Sequence, residues 1–422
     1  MMKNILKNEI IKNTFTLMMG TVLSQAIPIS IIPILTRIFT PEDFGLLALY
    51  GACVTILSVI IAGRYEITIM LPKSDEEAKI LLQTSMIIAF LTATLLCIPI
   101  SLLNKEIANL LGNKDIAPWL YLLPFSALLT GIYQSLTYWN NRQKKFKNIA
   151  TSRVNQSLTQ GLTQTLFGFS KMSGGLIIGQ ILGIASSVIF LLKKDNTYKK
   201  IKDIKNKETI IEKMLEYKKF PQYSIFGSLC DTAAAQMPVF ILTRFYSYTI
   251  TGMFSLTFRV LNIPATIISA AVGQVLFQKI VEISHTAPEK LNKYIIKTFI
   301  ILLLTYLPVI PILFIWGDDL FSFVFGEKWR EAGVYAGYLV IAVAIRFAVS
   351  PLSTVMGLEK NVKTGVFWQI LYFCTIIPTL YFSSFLPIQE FFIIFTIHEV
   401  ILYFIYLTLI IKSSKQQLNY KV

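Results

Sequence analysis

Apolar runs of roughly twenty residues, broken by short polar stretches, repeat along the whole chain. Long apolar stretches with few charges have the length of a bilayer-crossing helix, about 20 residues. The pattern predicts twelve such spans, at 14–34, 44–63, 81–103, 118–138, 154–170, 173–192, 223–243, 252–273, 297–316, 332–352, 365–385 and 391–411. Several carry an internal proline: Pro28, Pro99, Pro124, Pro238, Pro264 and Pro378. Membrane helices tolerate these when neighbours satisfy the freed backbone groups. The first run is too long, and lacks a small-residue cleavage site, to be a removed signal peptide, so it reads as an uncleaved first span.

The pattern repeats at a second level. Ile34-Leu35-Thr36-Arg37 recurs as Ile241-Leu242-Thr243-Arg244, and Gly45 and Leu49 recur as Gly252 and Leu256, at a constant offset of 207 residues. Each copy ends one span and opens the next. A weaker echo relates Lys144 and Lys147 to Lys360 and Lys363. The chain therefore reads as an all-α polytopic membrane protein, with twelve transmembrane helices in two pseudo-symmetric six-helix bundles. The expected divisions are 1–192, a basic linker at 193–222, and 223–422. Both copies meet the same membrane face, which makes this a parallel repeat about an axis along the membrane normal. Two such lobes suit a rocking, alternating-access carrier.

Composition supports the membrane reading. Hydrophobic residues are 54% and charged residues 15%, against about a quarter charged in soluble domains; mean hydropathy is +0.60. The formal charge of +15 would suggest nucleic acid if it formed a soluble patch. Here the basic residues lie between apolar runs and set topology instead. With the N-terminus inside, inner segments hold 30 Lys and Arg and outer loops 7, so both termini are expected to be cytoplasmic. The 193–222 loop is the largest inner one; it can form a short amphipathic helix over 208–220 and rest on anionic lipid, or dock cytosolic enzymes. The four cysteines (Cys53, Cys97, Cys230, Cys374) lie in apolar runs, and His285 and His398 are far apart in sequence. No metal or cofactor is expected.

Four segments carry a family resemblance: LTRIFTPEDFGLLALY (35–50), GRYEITIMLPKSDEEA (63–78), FPQYSIFGSL (220–229) and FRVLNIPATIISAAVGQVLFQ (258–278). The chain resembles the polysaccharide biosynthesis proteins, the lipid-linked oligosaccharide (O-antigen) flippases of the multidrug/oligosaccharidyl-lipid/polysaccharide exporter superfamily. The resemblance implies a bacterial inner-membrane carrier, not an enzyme. Its cargo would be an undecaprenyl-diphosphate-linked oligosaccharide of O-antigen or capsule. A coupling ion and other glycan-assembly proteins, a polymerase or ligase, are implied as possible partners; nucleic acid is not.

Such a cargo needs a polar cavity at membrane depth, with cations for its diphosphate. Charges within spans cost about 2.5–3.5 kcal/mol each on insertion scales, and they are few: Asp231, Arg259, Arg346, His398 and Glu399. At about 1.5 Å per residue from the outer helix end, Arg259 and Glu399 come to similar depth, as do Asp231 and Arg346. Two buried pairs follow, Arg259 with Glu399 and Asp231 with Arg346. Either they lock the bundle, or an Arg leaves its carboxylate for the diphosphate, whose oxygens the guanidinium fork matches.

Span 5 is polar. Gln156, Gln160 and Gln164 recur every four residues, with Asn155, Thr159 and Thr163 beside them. The stripe reads as interhelical glue or, preferred here, as a cavity wall bonding sugar hydroxyls. Gly175, Gly179 and Gly183 mark close packing in span 6. Arg142, Lys144, Lys145 and Arg153 at the inner mouth either collect an anionic headgroup or set topology. Arg37 and Arg244 anchor helix ends or meet diphosphate at release. Arg64 and Glu66 are expected to pair with inner-loop charges.

Two rivals make different demands. A multidrug carrier of the same superfamily predicts buried acids in spans 1–6, where none falls within the expected boundaries. A polymerase or glycosyltransferase predicts outer-loop carboxylates, for which Asp318-Asp319 is the nearest match, explicable as a helix-terminal charge.

Overall fold

The computed structural model describes residues 2–172, 174–194, 207–264, 276, 279–284, 286–357 and 362–416, and among them every regular element is helical. The long helices are α1 (Met2–Ile38), α2 (Pro41–Ile60), α3 (Asp75–Leu102), α4 (Leu123–Arg142), α5 (Phe146–Phe169), α6 (Gly175–Lys193), α7 (Lys219–Phe245), α8 (Tyr248–Leu261), α9 (Pro288–Tyr306), α10 (Val309–Phe325), α11 (Arg330–Val349), α12 (Val362–Ser383) and α13 (Ile388–Gln416).

Nine described segments are long and apolar enough to cross a membrane, and a tenth is the pair Lys114–Leu120 and Leu123–Arg142, bent by 54°. The bend accounts for Pro124: it opens α4 rather than interrupting a straight span, which suits its missing N–H. The expected span at 297–316 falls within one longer segment, Glu289–Phe325, in which Pro308 lies between α9 and α10. Two expected spans fall outside the ten. Helix α5 is long but carries the polar stripe, and α8 has 14 residues before a stretch beyond the described ones. The count is compatible with twelve. Leu95, Ile98, Leu102, Phe314, Phe323 and Phe382 all point outward, as expected where hydrocarbon is the solvent.

The chain divides into two compact units: Met1–Phe39 with Leu46–Arg244, and Thr40–Gly45 with Phe245–Val422. In the first, α5 packs between α1 and α6. In the second, α11 is the central helix, with 72% of its span window buried. Hydroxyls tie neighbours together there. Thr257 donates to the Ala332 carbonyl at 2.7 Å, Thr396 to Tyr338 at 2.9 Å and Tyr306 to Leu261 at 2.7 Å.

The second unit also contains the crossing of the duplicated phrase. Thr40 and Ser247, equivalent at the 207-residue offset, each cap the helix that follows. Thr40 and Asp43 bond reciprocally, and Ser247 accepts from the Ile250 N–H at 3.1 Å, which satisfies end donors that otherwise lack partners. The two helix starts then meet each other. A Cβ on Gly45 would strike the Tyr248 carbonyl, and one on Gly252 would strike the Pro41 carbonyl and approach the Gly45 nitrogen at 2.8 Å. Pro41 and Tyr248 are themselves equivalent, so the contact is self-complementary. The Thr249 hydroxyl bonds the Glu42 carboxylate beside it.

Part of the basic linker forms a helix, Lys207–Glu216, docked on the first unit. Tyr65 OH donates to the Met214 carbonyl at 2.7 Å, and Lys213 Nζ lies 2.6 Å from both Glu77 and Glu216. Ile211, Met214 and Leu215 stay exposed. Residues 195–206 of the linker lie outside the described residues.

Candidate functional site

The charged residues expected within spans of the second unit sit on α8, α11 and α13, but the structure changes their pairing. Arg346, in the last turn of α11, faces α13 across its carboxylate: Nη1 lies 4.0 Å from Oε2 of Glu399. Arg259 on α8 is exposed and makes no ion pair among the described residues. The expected Arg259–Glu399 pair is thus replaced by Arg346–Glu399. Equal depth did not decide the matter; the side of the helix each residue occupies did.

Glu399 is enclosed, its side chain 2% exposed, whereas Arg346 is 31% exposed. The carboxylate divides its oxygens. Oε1 accepts from Tyr372 OH at 2.6 Å and lies 3.8 Å from His398 Nδ1; Oε2 faces the guanidinium. At 4.0 Å the Arg346 contact is beyond hydrogen-bond distance, so the attraction is Coulombic, about 4 kcal/mol at an effective dielectric of 20 before desolvation is subtracted. The guanidinium carbon also lies 5.7 Å from the Phe258 ring centroid and 5.8 Å from that of Tyr403, within cation–π range. Behind the carboxylate, Trp368 stacks on Tyr406 at 4.2 Å and 6°, with Tyr403 and Tyr372 alongside. A half-exposed guanidinium therefore stands at the rim of a buried acid held by an aromatic wall.

In the first unit the polar stripe of α5 turns toward its neighbours. Gln164 is 4% exposed and donates to the Leu176 carbonyl at 2.8 Å. Asn155 donates to the Ser186 carbonyl at 3.2 Å. Gln160 and Gln156 press on Gly183, where a Cβ would come within 2.8 Å of Gln160 Cβ and 3.0 Å of the Gln156 carbonyl. Gln164 therefore does not line a cavity: it glues α5 to the glycine face of α6. The glycine spacing and the glutamine spacing are the two sides of one interface. Gln164→Leu is expected to cost about 1 kcal/mol, read as a lower melting temperature in detergent, with transport retained. On the opposite side, Arg153 donates to Thr21 at 2.8 Å and Ser157 to the Ser24 carbonyl at 2.7 Å. Asp231 is exposed on α7.

Two basic residues prove committed to partners within the protein. Arg142 donates to the carbonyls of Ile69, Pro72 and Ser74 and to Asp75, so it clamps the turn before α3 rather than collecting a headgroup. Arg64, at φ 61, bonds Ser228 at 2.8 Å and Ser224 at 3.4 Å and lies 3.7 Å from Glu66. The pair expected with inner-loop charges is made internally. Glu66 is 1% exposed, one Oε2 lacks a protein partner, and burial, opposed by its backbone hydrogen bond and Arg64, pushes its carboxyl upward. A raised acid binds its proton more readily folded than unfolded. Its penalty is therefore absent at acid pH and grows as pH rises through its folded titration. Glu66→Gln is expected to be more thermostable than the parent at neutral pH, with the difference vanishing below the ordinary carboxylate range. Melting curves from about pH 4 to 8 measure this. The burial of Glu66 was not legible in the sequence because it sits in the one-turn helix Tyr65–Thr68, between two spans.

The model of the family described as "Polysaccharide biosynthesis protein" matches residues 34–334. The chain belongs to that family. Among curated relatives, it is 23% identical over 355 residues to the succinoglycan biosynthesis transport protein ExoT of Rhizobium meliloti (strain 1021), covering 81% of this chain and 67% of that protein. It is 18% identical over 298 residues to the teichuronic acid biosynthesis protein TuaB of Bacillus subtilis (strain 168), covering 70% of this chain and 60% of the relative. Its fold is similar to a multidrug resistance MATE family transporter of the MOP superfamily solved in an inward-facing conformation, with a TM-score of 0.66, 12% identity and 96% of both chains covered. This family member is therefore a multi-pass membrane protein whose fold is like that of this solved transporter.

Proposed function

We propose that this protein is a flippase that carries a polyprenyl-diphosphate-linked saccharide repeat unit from the cytoplasmic to the opposite leaflet of a bacterial inner membrane. Alternating access of two halves would move it, with both termini cytoplasmic. The observation that carries the reading is Arg346: a cation within an apolar span, partly exposed, held by its buried carboxylate at 4.0 Å. A purely structural ion pair gains most from close, hydrogen-bonded geometry; this one is held at 4.0 Å, and a guanidinium fork matches phosphate oxygens. Names of the relatives, a succinoglycan transport protein and a teichuronic acid biosynthesis protein, support a glycan cargo. Around Arg346 and Glu399 the proposed site includes Arg259, exposed on α8; in the first unit Asp231, Arg153, Asn155, Gln156 and Gln160 remain candidate contacts for headgroup and sugars.

The test is deletion in a surface-glycan-producing host. Lipid-linked repeat units are expected to accumulate on the cytoplasmic leaflet, and the purified protein in vesicles is expected to move them without changing their mass. A change of mass would make the protein an enzyme and sink the reading.

A further inference from the structure

The basic linker has no part in the reading above, but its helix has a definite place in the first unit. Lys207–Glu216 packs on α3 and is clasped along one side. Tyr65 OH donates to the Met214 carbonyl at 2.7 Å, Lys213 Nζ lies 2.6 Å from Glu77, and Tyr217 OH donates to the same carboxylate at 3.4 Å. Lys213 and Tyr217 are four residues apart and share a helix face. At about 100° per residue, Ile211, Met214 and Leu215 fall on another face, and they are 45%, 39% and 53% exposed. Glu212 and Glu216 take a third side and are also exposed. The clasped side has protein against it and the acidic side suits water. The ridge of Ile211, Met214 and Leu215 calls for apolar surroundings.

Its depth says what those surroundings are. Glu77 is the third residue of α3, which has 28 residues. At 1.5 Å per residue such a helix is about 42 Å long, and a bilayer with its headgroups is about 40–45 Å thick. The clasp on Glu77 therefore lies at headgroup level. The turn before α3 lies there too. It exposes Met70 and Leu71, although Arg142 holds it by the Ile69 and Pro72 carbonyls. Charge agrees with depth. In sequence the helix is bracketed by Lys199, Lys200, Lys202 and Lys205 on one side and by Lys218 and Lys219 on the other, and basic clusters beside an amphipathic helix complement anionic lipid.

We propose that Ile211, Met214 and Leu215 form a membrane-insertion ridge that seats the linker helix in an anionic cytoplasmic leaflet, while Tyr65 and Glu77 hold its other side. An interfacial helix buries its apolar face about 5–10 Å into the boundary between headgroups and acyl chains. Helix α7 begins at Lys219, three residues after Glu216, so the ridge also sets the level at which α7 leaves the headgroups. The inference goes beyond the carrier reading and needs no cargo.

The test uses the full-length protein in vesicles of phosphatidylcholine and phosphatidylglycerol. Ile211→Trp puts a fluorescent reporter on the ridge, and Glu212→Trp puts one on the acidic side. The parent's five tryptophans give the background to subtract. Lipids brominated high on the acyl chain are expected to quench the emission added by Ile211→Trp by about half or more. Iodide on both sides of the membrane is expected to leave it unchanged. The emission added by Glu212→Trp is expected to respond the other way, quenched by iodide and not by bromine. In vesicles of phosphatidylcholine alone, bromine quenching of the ridge reporter is expected to fall by about half, because the anionic partner of the lysines is gone.

A ridge reporter that iodide reaches overturns the proposal. So does one shielded from both quenchers, since protein would then cover the ridge. Equal bromine quenching with and without phosphatidylglycerol overturns the anionic partner. The carrier reading fails separately, if vesicles holding the parent protein move no lipid-linked saccharide while the ridge reporter is quenched as described.

Discussion

Arg346→Gln is expected to lower translocation of the lipid-linked saccharide by about 30-fold or more, the equivalent of about 2 kcal/mol lost from a charge-assisted contact. It is also expected to destabilise the protein, because Glu399 is left buried beside a neutral amide. Full burial of an orphaned charge costs about 3–5 kcal/mol. With Arg346 31% exposed, the loss is expected at about 1–3 kcal/mol, since solvent screens the pair in the parent. The two effects separate in the double variant Arg346→Gln with Glu399→Gln, which no longer buries an unpaired charge. Its melting temperature is expected to recover while translocation stays low. A double variant that transports at the parent rate would make the pair purely structural and remove Arg346 from the site. Arg346→Lys keeps the charge but loses the planar fork, so it is expected to fall between parent and Arg346→Gln. Vesicle transport and melting curves on the four proteins settle the ranking.

The second large effect belongs to the crossing of the duplicated phrase. Gly252→Ala drives a methyl group into the Pro41 carbonyl and Gly45→Ala drives one into that of Tyr248. Neither carbonyl can move alone. Each belongs to the first turn of a helix whose start is capped, by Thr40 with Asp43 in one case and by Ser247 in the other. Overpacking against side chains costs about 1–3 kcal/mol; against fixed backbone the upper part of that range or more is expected, about 2–4 kcal/mol, for either substitution. Gly51→Ala is the control. It lies on the same helix as Gly45 with nothing within 4 Å of the added methyl, so it is expected to be neutral or to stabilise by up to about 1 kcal/mol. Yield of folded protein and melting temperature read all three. If Gly252→Ala melts with the parent, the helix starts do not meet as closely as the structure has them.

These two sites mark where sequence reasoning carries and where it stops. The apolar runs foretold the long helices because a bilayer-crossing segment must bury its backbone polar groups in its own helix, a demand written in composition alone. The amphipathic stretch after the first half was legible for a similar reason, and a helix forms at Lys207–Glu216. The repeat of Thr-Arg and Gly at a 207-residue offset was visible too. That Gly45 and Gly252 face each other was not, since a repeat states equivalence and not contact. Pairing was the weakest inference. Counting residues from a helix end locates a charge in depth, but successive residues turn by about 100°, and which neighbour lies on that side is a property of packing. By depth Arg259 was matched with Glu399 and Arg346 with Asp231; α11, central in its unit, instead brings Arg346 to the Glu399 carboxylate and leaves Arg259 exposed. The same holds for Gln164, whose amide the glycine face of α6 claims, and for Arg142, taken by three loop carbonyls. By itself, then, the sequence determined that this chain is a duplicated set of apolar helices with a handful of charges too costly to be accidental. Only the tertiary structure decided which of those charges meet, because the energy of a buried polar group depends on partners brought within a few ångströms by residues far away along the chain.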